Sequence, residues 1–193
     1  MNQIAPWTPP AFMLGGGLMI PLWALFISLH GPTSDNEEGR FLGLDPLFWG
    51  SMTSLPSLLL VLGWAGCFKW WYGSAGRMGK TGYVFTLVAL LVPTLVDLIT
   101  LMLGPPLLLP LEAVGLMLLA VGQHTPLLPR LIRQTLLGLG ILLLLAFLVA
   151  LVPIELSDRV QGYRIYGLMN SVLGGVGWML LGSGLRTQLK ERP

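Results

Sequence analysis

TLLGLGILLLLAFLVALVPI, residues 135–154, is a 20-residue run without a charged side chain, and its reading decides the fold class. A bilayer's hydrocarbon core is about 30 Å thick and an α-helix rises about 1.5 Å per residue, so about 20 apolar residues cross it. Hydrocarbon offers a backbone no hydrogen-bond partner, and a single segment can satisfy its own N–H and C=O groups only as a helix. Working outward, runs of similar length and character cover 11–30, 47–68, 83–103 and 106–123 before this one and 164–185 after it. The pattern predicts an all-α polytopic transmembrane helical bundle of about six spans, with residues 1–193 forming a single transmembrane domain.

Composition agrees. The chain is 54% hydrophobic and 10% charged, against about 25% charged in an ordinary soluble domain. A net charge of +2 spread over short loops is neither an arm nor a patch for nucleic acid, so the expected surroundings are the lipid bilayer. The single cysteine, Cys67, excludes an internal disulfide or a thiolate metal cage. No Lys or Arg precedes the first run, which is about twice the length of a signal-peptide core, so it is expected to be a retained membrane helix. No lipidation or retention signal is evident at Met1-Asn2-Gln3 or at Lys190-Glu191-Arg192-Pro193. The fourth run holds Pro110 and Glu112 and follows the third across Gly104-Pro105-Pro106, so the two form a tight hairpin or one is re-entrant.

Lys and Arg resist translocation, so loop charges predict orientation. Lys69, Arg77 and Lys80 follow the second run, Arg130 and Arg133 the fourth, and Arg186, Lys190 and Arg192 the sixth. The alternate loops are acidic or mixed, with Asp35, Glu37, Glu38, Arg40 and Asp45, then Glu155, Asp158, Arg159 and Arg164. Six spans with both termini cytoplasmic satisfy every loop. Trp70, Trp71, Tyr72 and Tyr83 are expected in an inner interfacial belt, and Trp49, Tyr163 and Tyr166 in an outer one.

Chemistry in such a chain must sit in the bundle or its short loops. Asp97 and Glu112 are the only acidic residues within the spans; an ionised carboxylate there costs a few kcal/mol unless it pairs or binds a cation. Asp97 lies eight residues before Pro105 and Glu112 seven after it, so a symmetrical hairpin brings both to about the same depth. His30, ending the first run, and Arg40 are on the same side. Thr94, Asp97 and Thr100 form a stripe below Pro93. These ligand- or proton-binding candidates compete with a structural reading, in which the acids cap backbone groups or snorkel. Pro21, Pro56, Pro93, Pro110 and Pro153 interrupt or border the spans, and each is expected to free a carbonyl. Ser51, Thr53, Ser54 and Ser57 are expected to satisfy backbone carbonyls of their own helix. Gly167, Ser171 and Gly175 recur every four residues, which suits close helix packing within the subunit or across a homo-oligomer. Haem-type histidine pairs, HExxH and Cys-His clusters are lacking, so no metal site, cofactor or catalytic residue is assigned.

Leu127-Leu128-Pro129-Arg130 leading to Gly138-Leu139-Gly140, the closing Gly174-Gly175-Val176-Gly177-Trp178-Met179-Leu180-Leu181-Gly182, and Gly76-Arg77-Met78-Gly79-Lys80-Thr81-Gly82 resemble small, uncharacterised six-span bacterial inner-membrane proteins. The resemblance implies a six-helix bundle in a bacterial inner membrane and carries over no activity or site residue. Three functional expectations follow: a small transporter or proton- or cation-coupled protein using Asp97 and Glu112; an accessory or scaffold subunit of a larger membrane complex; and, weakest, an intramembrane lipid- or isoprenoid-modifying enzyme with a carboxylic acid as proton donor.

Overall fold

A computed structural model describes residues 4–30, 42–44, 48, 51–52, 54–100, 107–122, 129–151 and 165–190, leaving aside the side chains of Leu29, His30 and Ser74. Every regular element among them is a helix: α1 Thr8–His30, α2 Leu55–Gly66, α3 Phe68–Ser74, α4 Arg77–Thr100, α5 Leu109–Val121, α6 Arg130–Leu151 and α7 Ile165–Lys190. Four of them, α1, α4, α6 and α7, are long and apolar enough to cross a membrane. The apolar α2 and α5 have 12 and 13 residues, or about 18 and 20 Å.

Helix ends depart from the apolar runs for local reasons. Helices α4, α6 and α7 extend past the apolar stretch at the ends carrying Arg77 and Lys80, Arg130 and Arg133, and Arg186 and Lys190. Long basic side chains are good helix formers that keep their charge in water while the stem stays on the helix. Pro56 and Pro110 lie in the first turns of α2 and α5, where a missing N–H costs nothing. The expected loss of a hydrogen bond therefore applies only to Pro21 inside α1 and Pro93 inside α4; Pro153 lies outside the described residues. A turn at Cys67 ends α2, and the Cys67 carbonyl accepts the N–H groups of Trp70 and Trp71 at 3.0 and 2.8 Å, so α3 starts directly from it.

Six of the helices close a ring in the order α1, α2, α4, α5, α6, α7 and back to α1, with α3 against α2 and α4. Neighbours run antiparallel. Gly15 meets Leu60 and Gly63 meets Phe12 between α1 and α2; Gly79 meets Gly122 and Gly82 meets Leu119 between α4 and α5; Ile132 meets Gly184 and Leu143 meets Gly174 between α6 and α7. Alternation gathers all the described basic residues, Lys69, Arg77, Lys80, Arg130, Arg133, Arg186 and Lys190, at one end. The outward surface is apolar as well, including Leu14, Leu62, Val88, Ile141 and Leu180, all more than one-third exposed, as lipid requires and water would penalise.

Toward the basic end the interior is filled by aromatic rings. Phe12 stacks on Trp178 with centroids 5.7 Å apart and meets the edge of Trp64 at 6.2 Å; Trp64 contacts Trp71 at 4.7 Å and Tyr83 at 5.6 Å. Trp64 Nε1 donates to the Tyr83 carbonyl at 3.0 Å, and Tyr83 Oη donates to the Trp64 carbonyl at 2.8 Å. Each aromatic pair contributes about 0.5–1.5 kcal/mol beyond its area burial. This revises the inner belt: Trp70, Trp71 and Tyr83 are buried in the bundle, while Tyr72 is half-buried with Lys80 5.4 Å from its ring centre. Of the outer belt, Tyr166 accepts a hydrogen bond from Asn170; Trp49 and Tyr163 lie outside the described residues.

Candidate functional site

The site is built on the seam between α4 and α5. Helix α4 buries Gly79, Gly82, Tyr83, Thr86, Ala89, Leu90, Thr94 and Asp97, a stripe at helical spacing. The facing stripe of α5 carries Glu112, Gly115, Leu119 and Gly122, at spacings of three and four. Without side chains the two backbones touch: a methyl carbon built on Gly82 falls 2.5 Å from the Gly115 carbonyl oxygen, and one on Gly115 falls 2.7 Å from the Thr86 nitrogen. Small residues at this spacing are what allow so close an approach.

That seam fixes the depth of both acids. Gly79 opposes Gly122, Gly82 opposes Leu119 and Thr86 opposes Gly115, so continuing the register sets Ala89 opposite Glu112. Asp97 lies eight residues farther along α4, or about 12 Å at 1.5 Å per residue. The equal-depth expectation therefore fails. Counting outward from Pro105 treats the turn as symmetrical, whereas the glycines slide the helices to a different register; Gly104-Pro105-Pro106 themselves lie outside the described residues.

Asp97 is 8% exposed, and its Oδ2 accepts a hydrogen bond from Ser54 Oγ at 2.8 Å. Ser54 directly precedes α2, so the bond ties two neighbouring helices. Sequence reading missed this pair, since it assigned Ser54 to its own backbone, as Ser51 does in donating to the Phe48 carbonyl at 2.8 Å. Thr94 is buried and donates to the Leu90 carbonyl at 2.6 Å, and Thr86, also missed, donates to the Gly82 carbonyl at 3.0 Å. Their hydroxyl protons are committed, leaving oxygen lone pairs as the free capacity. Thr100 is exposed and bonds the Val96 carbonyl at 2.7 Å, so the expected stripe loses its third member. His30 ends α1 but its side chain lies outside the described residues, as do Arg40 and His124.

Glu112 is 7% exposed. Its carboxyl makes no hydrogen bond or ion pair among the described residues. None of the described basic residues shares its half of the bundle, since all gather at the other end. Among the described residues no group of three or more His, Cys, Asp or Glu side chains could hold a metal ion.

The small residues of α7 meet α1. Gly175 and Gly16 approach backbone to backbone, the Trp23 ring occupies the space a side chain at Gly167 would need, and Ser171 is buried. Between them, residues 168–173 form a π-helical stretch in which the Gly174 N–H bonds the Met169 carbonyl, five residues back. Compared with models of known protein families, with curated proteins and with solved structures, the chain matches none.

Proposed function

We propose that this chain is a bacterial inner-membrane protein whose six ring helices all cross the bilayer with both termini cytoplasmic, acting as a small transporter coupled to a proton or cation. Support for the topology comes from the antiparallel ring and from basic residues collected at one end. The observation that carries the coupling is Glu112, buried without a partner among the described residues. A lone carboxylate in a membrane interior is too costly to leave uncompensated, so such a group exchanges a proton or binds a cation. Pro93 inside α4, between Glu112 and Asp97 in register, fits the proline-interrupted segments that line transport sites.

The test is flux. Purified protein in liposomes holding a pH-sensitive dye is given an acid pulse outside. The reading predicts faster internal acidification than in protein-free vesicles, and its loss in Glu112→Gln. Equal rates in wild type, Glu112→Gln and empty vesicles would remove it.

A further inference from the structure

We propose that Glu112 alone is the proton-binding group, exchanging its proton against the backbone of α4, and that Asp97 is a positioning residue that holds α2 against α4 through Ser54. This deepens the coupling reading above by separating the two acids and by naming the proton, rather than a metal cation, as the ligand.

Three observations converge on Glu112. The first is its isolation. The charged and titratable groups on the helices packed against α5 are Arg77, Lys80, Tyr83 and Asp97 on α4 and Arg130 and Arg133 on α6. By register, Tyr83 is six residues from the level of Glu112, about 9 Å, and Asp97 about 12 Å away. The Tyr83 hydroxyl is already turned to the Trp64 carbonyl. Among the described residues, nothing within a helical turn supplies a countercharge.

The second is the space. Gly82, Thr86 and Gly115 bring the backbones into contact one turn below Glu112. A metal cation needs several oxygen ligands in a shell around it; the seam's hydroxyl nearest in register, Thr86, already donates to Gly82, and among the described residues no three His, Cys, Asp or Glu side chains gather to hold one. A proton needs no such shell.

The third is the acceptor. Pro93 lies inside α4 and has no N–H to return to the residue four before it, which is Ala89. Register sets Ala89 opposite Glu112, so an orphaned carbonyl stands at the level of the carboxyl. A carboxylic acid offers that carbonyl an O–H, while a carboxylate offers a second acceptor. Asp97 differs on the first point, since it already accepts a short bond from Ser54.

A membrane-permeant carbodiimide distinguishes the two acids. The protonated acid adds its O–H across one C=N bond, and the acyl group then migrates from oxygen to nitrogen; the N-acylurea keeps every atom of both reactants, with no leaving group. Mass spectrometry of the folded wild-type protein in liposomes is predicted to find one adduct on the peptide bearing Glu112, its yield falling as pH rises, and none on Asp97. Glu112→Asp keeps the adduct and Glu112→Gln loses it. An adduct on Asp97 instead, or none on either acid, overturns the inference. A Glu112 adduct in protein that carries no acid-driven flux sinks the transport reading and leaves the proton site standing. Flux accompanied by labelling only at Asp97 does the reverse.

Discussion

One methyl group at Gly82 tests the seam that sets the depth of Glu112. In Gly82→Ala the new carbon starts 2.5 Å from the Gly115 carbonyl oxygen and the Leu119 nitrogen and 2.9 Å from the Leu118 Cβ, against ordinary contacts of 3.4–4 Å. Two of these obstacles are backbone atoms, so no rotamer relieves them and the helices must part by about 1 Å. Such overpacking costs about 1–3 kcal/mol. The upper end applies here, because parting rigid helices also loosens the contacts of Gly79 with Gly122 and of Thr86 with Gly115. At 1.4 kcal/mol per decade, about 3 kcal/mol raises the unfolding constant roughly 140-fold. Gly138→Ala is the control, since nothing lies within 4 Å of its added carbon; it carries only the helix-propensity gain of up to about 1 kcal/mol of a Gly→Ala change inside a helix and does not destabilise. Unfolding by a denaturing detergent in mixed micelles, followed by the fluorescence of buried Trp64, Trp71 and Trp178, gives both numbers. Equal effects of the two substitutions would refute the reasoning, because a seam that tolerates a methyl group does not fix the register.

Ser54→Ala removes the donor to Asp97 and lowers stability by about 1 kcal/mol, and a double-mutant cycle with Asp97→Ala in the same unfolding assay reads a coupling of about 0.6–1.7 kcal/mol; additive effects would mean the bond holds nothing. Tyr83→Phe removes one of two donors to the Trp64 carbonyl, which keeps the Cys67 N–H at 3.0 Å, and costs about 1 kcal/mol, with a change in the near-ultraviolet circular dichroism of the aromatic cluster; an unchanged spectrum and midpoint would show that the reciprocal bonds do not order it.

The membrane character of the fold was legible because apolar length and charge placement are local properties. Residues 135–154 read as one helix on their own, and α6 contains all of that run up to Leu151. Registers were not legible, because they depend on which faces meet. Glu112 and Asp97 look equivalent when counted from Pro105, and only the contacts of Gly82 and Gly115 with the facing helix separate them. The periodicity of Gly79, Gly82 and Thr86 against Gly115, Leu119 and Gly122 was the available signal. The aromatic cluster was misread for a related reason. Trp71 and Tyr83 sit next to basic residues in sequence, as belt residues do, but the turn at Cys67 and the ring's closure bring them inward. Ser54 carried no signal separating it from Ser51, since both are serines near the start of an apolar helix and only the neighbour differs.

The account stands most directly on whether short α5 crosses the membrane. Leu107, just before it, is 71% exposed, and Gln134 is exposed near the opposite, basic end of α6. Each is replaced by cysteine, and intact cells are treated with an impermeant thiol reagent; Cys67, fully buried, serves as the unreactive internal control. The account predicts that Leu107→Cys reacts from outside, while Gln134→Cys reacts only after the membrane is permeabilised. Reaction of both positions from the same side would make α5 re-entrant and contradict it.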